Sequence, residues 1–157
     1  DVAATPLQMA MVAAAIANDG QIMVPHVMQD VRDTDGNIVD RYDEKAWTTA
    51  TDPGTAAIMR EAMVGVVEAG TAKGLRVPGF VVGGKTGTAQ LGTDPPRSHA
   101  WIIGFAGRPG ELPTIAVAVL VEGQPGASEQ TGGRVAAPIA QAILQAYLTT
   151  PAPAPSP

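Results

Sequence analysis

The chain has 157 residues and a net charge of −5, with 45% apolar side chains, 4% aromatic ones and no cysteine. That is one domain's worth of chain, able to bury roughly 70% of its unfolded surface, and the apolar share excludes global disorder. The acidic balance, with no basic run, argues against a nucleic-acid partner; the lack of cysteine excludes disulfides and thiolate–metal sites, and no stretch has the length and apolarity of a membrane span.

Alanine and valine carry most of the apolar content, so the core is expected to be built from small side chains. No signal-peptide pattern opens the chain, and a start at Asp1 rather than methionine is expected of a segment interior to a longer gene product.

Thr5-Pro6-Leu7-Gln8 opens the first helix: threonine caps, proline suits the first helical position, and Gln8 completes a capping box. The run from Leu7 to Ala17 has almost no polar side, which predicts burial on nearly all faces. Asn18-Asp19-Gly20 ends it. Met23 to Val31 and Ile38 to Tyr42 are predicted as two short strands around Asp35-Gly36-Asn37, a hairpin signal. Asp52-Pro53 starts a second helix that runs to Gly70. Ala100 to Ala106 and Thr114 to Val121 are further strands; the second is apolar on both alternating faces and belongs in the middle of a sheet. Its missing neighbour is expected either from the strand near Met23 or, preferably, from upstream of Asp1. Gly133 to Leu148 is a closing helix with Ile139, Ile143, Leu144 and Tyr147 on its apolar side, followed by a Pro/Ala tail.

The chain turns on Val81-Val82-Gly83-Gly84-Lys85-Thr86-Gly87-Thr88-Ala89-Gln90, which begins as a strand after the Pro78-Gly79 turn. Glycine in a strand packs nothing, so Gly83, Gly84 and Gly87 predict close approach by another backbone or a ligand. Alternation sets Thr86 and Thr88 on one side and Lys85 on the other. Two hydroxyls, an ammonium and open backbone N–H groups make a receptor for an anion or a polarised carbonyl. Gly79 to Thr86 also satisfies the phosphate-loop pattern G-x-x-x-x-G-K-[ST]. That loop needs a helix from the lysine onward, and Gly87, Gly92, Pro95 and Pro96 refuse one.

His99 and His26 are expected to be structural or loop residues, Glu122 and Glu129 solvated ends of elements, and Trp101 a packing neighbour of the key strand. Met9, Met11, Met59 and Met63 fall at helical spacing and read as core filling.

Lys85-Thr86-Gly87 followed by Thr88 is a signature of serine penicillin-binding proteins and active-site serine β-lactamases. The surroundings extend the likeness: Ala4 to Ala10 with Ala15-Ile16-Ala17-Asn18, then Glu68-Ala69-Gly70-Thr71-Ala72, Gly84 to Gln90, His99 to Ala106, the valine-rich strand and the closing helix. Over nearly its whole length the chain resembles the second half of the transpeptidase domain of class B penicillin-binding proteins, in particular the mycobacterial penicillin-binding protein A type.

The resemblance implies an α+β fold, an antiparallel sheet flanked by helices of the β-lactamase/transpeptidase kind, incomplete without its upstream half. It implies that residues 1–148 are the C-terminal part of that domain and 149–157 a disordered tail. It further implies a D,D-transpeptidase that cross-links peptidoglycan stem peptides through an acyl-enzyme and is acylated by β-lactams. The serine nucleophile of S-x-x-K and the serine of S-x-N are absent, since Ser98, Ser128 and Ser156 match neither motif. Catalytic roles fall to Lys85 and to the Thr88 N–H in the oxyanion hole; Thr86, Gly87 and Thr88 would bind substrate. No metal and no cofactor is expected. The partners implied are the upstream half, stem peptides and β-lactams, at the extracytoplasmic face of the bacterial membrane, through an N-terminal anchor outside this chain. The rival readings are a serine β-lactamase, a D,D-carboxypeptidase, and a β-lactam sensor that acylates without turnover.

Overall fold

A computed structural model describes residues 3–124 and 130–150. The first helix, α1 (Pro6–Ala17), begins at the expected capping box: the Thr5 N–H donates to Gln8 Oε1 at 2.8 Å, and the Gln8 N–H donates to Thr5 Oγ1 at 3.2 Å. Its C-terminal end is held by Arg60, whose guanidinium donates to the Ile16 carbonyl at 2.8 Å and pairs with Asp19, also at 2.8 Å. The chain turns away through Gly20 at φ +87°, where a Cβ would lie 2.0 Å from the Thr51 carbonyl oxygen. Burial on nearly all faces does not hold. Ala13, Ala15 and Ala17 are buried, whereas Leu7 and Val12 stand exposed. A helix apolar all round carries no sign of which side is covered, and here only one side meets described residues.

Four short strands follow. β1 (Gln21–Met23) pairs antiparallel with β4 (Ala46–Thr49), and β2 (Asp30–Arg32) with β3 (Ile38–Arg41). The β2–β3 hairpin turns where expected, because the Asp33 carboxylate accepts the N–H groups of Asp35 and Asn37, both at 2.9 Å. Met23 to Val31 is not one strand. Pro25 cannot donate to a ladder, and His26 instead stacks on Tyr42 with ring centroids 3.7 Å apart. β4 was not anticipated, although Trp47, Thr48 and Thr49 are strand formers.

Helix α2 (Pro53–Glu68) starts at Asp52, whose carboxylate accepts from the Thr55 N–H at 2.9 Å and the Thr55 hydroxyl at 2.6 Å. These two bonds hold the Asp52 carboxyl below its ordinary pKa of 3.8. A depressed folded-state value means the cap's stabilisation is complete above the ordinary value and is lost as pH falls through the folded-state one. Asp52→Ala is therefore expected to lower the melting temperature near neutral pH, with the gap from the parent protein closing progressively as the pH falls below the ordinary value of 3.8. Thermal melts across that range check it; a gap that stays constant with pH would contradict it. At the other end of α2, Arg76 donates to the carbonyls of Val67 and Glu68 and closes the helix. Among the methionines, Met63 fills core as expected, while Met59 is exposed.

The main sheet is antiparallel, in the order β5-β6-β7: β5 (Val81–Gln90), β6 (Ser98–Gly107) and β7 (Ile115–Val121). Ten residues of β5 pair with ten of β6, from Val81 opposite Gly107 to Gln90 opposite Ser98. On one face Phe105 packs with Ala17 of α1 and Met63 of α2. On the other, Val82, Ile102, Ala106 and Val117 pack under Leu75, Val67 and helix α3 (Ala137–Thr149). Helices thus flank both faces, as expected of the α+β class.

Among the described residues β7 pairs with β6 alone, and β1 pairs with β4 instead of returning to it, so the neighbour expected of β7 is not supplied by the strand near Met23. On α3 only Leu144 of the expected apolar side is buried. Ala137, Ala140 and Leu144 are buried, while Ile139, Ile143 and Tyr147 are exposed. Close approach to the sheet selects the small residues and leaves the larger ones outside. A single π-turn, Gly132–Ala136, precedes α3. The expected tail after 148 lies, from residue 151 onward, outside the described residues, as does Glu129.

Candidate active site

β5 is an edge strand whose outer side has no strand partner among the described residues. Its first half is core, with Val82, Gly83 and Gly84 buried; its second half emerges, with Lys85 and Thr88 exposed and Thr86 and Gly87 half-buried. The strand runs unbroken through Lys85 to Gln90. No helix follows the lysine, so the phosphate-loop reading fails on geometry as it did on sequence.

The glycines divide into two kinds. A Cβ at Gly83 would lie 2.2 Å from the Phe105 ring, and one at Gly84 would lie 2.6 Å from Leu75 Cδ2. Both admit the protein's own core side chains, not a ligand, which corrects part of the sequence expectation. Gly87 differs. It lies opposite Trp101 in the ladder, with Trp101 Cβ 3.2 Å from where its own Cβ would be. Both residues line a cavity of about 350 Å³ together with Lys85, Thr86, Thr88 and Met9 of α1. Trp101 therefore braces the strand as expected.

The Lys85 ammonium donates to the Thr86 carbonyl at 2.7 Å, along the strand's open edge. In an antiparallel ladder alternate residues turn both backbone groups to the same edge. Thr88, two residues on, therefore directs its N–H to that edge too. The hydroxyl of Thr86 is not standing free. Its Oγ1 lies 2.8 Å from Thr71 Oγ1, so one hydroxyl donates to the other. Thr71 belongs to the Glu68–Ala72 stretch, which the sequence matched to the family without assigning it a role.

Behind the site the π-turn packs directly on the strands. A Cβ at Gly132 would lie 1.8 Å from the Trp101 carbonyl oxygen and 2.9 Å from that of Gly87. One at Gly133 would lie 2.4 Å from the Thr71 carbonyl oxygen and 3.5 Å from Thr86 Cγ2. The structure thus brings Lys85, Thr86, Gly87 and Thr88 together and adds Thr71.

The remaining candidates fall outside. His99 Nδ1 accepts the Gly123 N–H at 3.0 Å and ties the end of β7 to β6, a structural role. Ser98 is 6% exposed at the start of β6, and Ser128 and Ser156 lie outside the described residues. A larger cavity of about 420 Å³ lies between α1, β1 and β7. Its one titratable side chain, His26, is taken up with Tyr42 and the Met28 carbonyl. Of these two cavities, the one beside Lys85 carries the hydroxyls and the ammonium.

Residues 2–145 match the family model of the penicillin binding protein transpeptidase domain. The chain is 41% identical over 150 residues to the peptidoglycan D,D-transpeptidase PbpA of Mycobacterium tuberculosis, covering 94% of this chain and 30% of that protein. The solved ceftriaxone acyl-enzyme of penicillin-binding protein A from M. tuberculosis superposes with a TM-score of 0.83 at 41% identity, over 95% of this chain and 33% of that one. A D,D-transpeptidase domain from Eggerthella lenta superposes at 0.77 with 34% identity, over 92% of this chain and 32% of that one. The chain therefore spans about a third of the length of the proteins it matches. On the match over residues 2–145, with the same fold and an open Lys-Thr-Gly-Thr edge, this chain belongs to the penicillin-binding protein transpeptidase family.

Proposed function

We propose that residues 1–148 are the C-terminal part of a serine D,D-transpeptidase domain, and that they supply one wall of its active site but not its nucleophile. The observation that carries this reading is the emergence of β5 as an open edge at Lys85, Thr86, Gly87 and Thr88 beside a cavity.

In the proposed reaction a serine from an S-x-x-K motif outside this chain attacks the carbonyl between the last two D-alanines of a stem peptide. The peptide bond breaks, D-alanine leaves with the proton, and an ester forms on the serine. An amine of a neighbouring peptide then attacks the ester, forms a new amide and returns the proton to the serine. The substrate's terminal carboxylate would be received by the Thr86 and Thr88 hydroxyls with the Lys85 charge nearby. The Thr88 N–H would be one oxyanion donor and the nucleophile's own amide the other. Gly87 leaves the substrate backbone room to lie along β5. Lys85 would exchange its bond to the Thr86 carbonyl for one to the S-x-N serine, setting the field in the groove.

Three exposed features support a missing upstream half: the outer edge of β7, unpaired among the described residues, the Leu7 and Val12 side of α1, and the Ile139, Ile143 and Tyr147 side of α3. No described helix is long and apolar enough to cross a membrane. The proposal includes an anchor at the extracytoplasmic face carried by the complete protein, and gives the Pro/Ala tail from 149 no catalytic part.

The test is incubation of the complete transpeptidase domain with fluorescent penicillin followed by a chase and, on separate unlabelled protein, incubation with a donor peptide and an amine acceptor. One stable covalent label per molecule and transfer to the amine are expected. No label would contradict the proposal. Rapid loss of label to water would indicate a β-lactamase or carboxypeptidase, and a stable label without transfer a sensor.

A further inference from the structure

We infer that Thr71 is a positioning residue for carboxylate recognition: it donates its hydroxyl hydrogen to Thr86 Oγ1, and thereby leaves the Thr86 hydrogen free for an anion. This rests on the transpeptidase reading above and deepens it.

A threonine hydroxyl has one hydrogen and two lone pairs. With Thr71 Oγ1 and Thr86 Oγ1 2.8 Å apart, one of them spends its hydrogen on the other. If Thr86 donated, it would present only lone pairs to the cavity, and a carboxylate would be repelled. If Thr71 donates, Thr86 keeps a hydrogen for the ligand, and its acceptor side is already satisfied. A negative ligand on Thr86 therefore selects the second arrangement, and the two hydroxyls polarise in series toward it.

The geometry around Thr71 is fixed to permit this. The Ala72 N–H donates to the Val66 carbonyl at 3.2 Å, anchoring the segment to the end of α2. From the other side Gly133 leaves no room for a side chain, since a Cβ there would lie 2.4 Å from the Thr71 carbonyl oxygen and 3.5 Å from Thr86 Cγ2. Thr71 and Thr86 thus sit in one clamp made by α2, β5 and the π-turn.

The experiment measures second-order acylation of the complete domain by benzylpenicillin and by its methyl ester, which lacks the carboxylate charge. Thr71→Val keeps the volume and removes the hydrogen. It is expected to slow the acid by about fivefold, the scale of one hydrogen bond between neutral groups, while changing the ester less than about twofold. Thr71→Ser is expected to restore the parent rate with the acid. In the Thr86→Val background, Thr71→Val is expected to cost nothing more. Equal slowing of acid and ester, or no slowing of either, would overturn the inference while leaving the proposed function standing. A parent domain that neither reagent acylates would overturn the proposed function, and this inference with it.

Discussion

Lys85→Ala is expected to cut labelling of the complete domain by fluorescent penicillin at least tenfold, a floor below the roughly 10²–10⁴-fold that one positioned proton-transfer group contributes. The side chain is exposed on the open edge of β5 and makes one bond, to the Thr86 carbonyl. Its removal breaks no core contact, so the melting temperature should stay within about 2 °C of the parent, as for surface substitutions in general. A loss of labelling without a loss of stability separates a role in the groove from a role in the fold. Undiminished labelling would remove Lys85 from the mechanism.

Gly132→Ala should have the largest effect on stability. The added Cβ would lie 1.8 Å from the Trp101 carbonyl oxygen and 2.9 Å from that of Gly87. Both oxygens belong to the backbone of paired strands, which cannot rotate away as a side chain could. Overpacking of this kind costs about 3 kcal/mol, equivalent to a fall in melting temperature of roughly 6–12 °C in a domain of this size. Because the π-turn also holds Thr71 and Thr86, penicillin labelling should fall with it. Gly65→Ala is the control: it lies within α2 with open space where its Cβ would be, so it should be neutral or stabilising by up to about 1 kcal/mol. Equal melting temperatures for the two variants would show that the π-turn does not press on the strands.

Local chemistry was legible in the sequence wherever a few adjacent residues decide the outcome. The Thr5–Gln8 capping box, the Asp52 cap and the Asp35-Gly36-Asn37 turn each involve groups within four positions of one another, and each forms. The Lys85 strand was legible for the same reason, since alternation alone sets the hydroxyls against the ammonium. Features that depend on distant partners were not. Which side of α1 is covered, and why α3 buries Ala137 and Ala140 instead of Ile139 and Ile143, depends on the sheet's distance from each helix. The glycines show the same limit inside the site. Gly83 and Gly84 had the composition of a ligand cradle, but Phe105 and Leu75 fill the space they leave. Thr71 lies fifteen positions before Thr86, and no spacing rule joins them; only the fold of α2 onto β5 does.

The central claim is that this chain forms a wall of the groove and that the nucleophile comes from elsewhere. Peptide mapping of the complete protein after reaction with benzylpenicillin tests it most directly. The penicilloyl ester should be found on a serine of an S-x-x-K motif outside residues 1–157. An adduct on Ser98, or on any other side chain of this stretch, would contradict it.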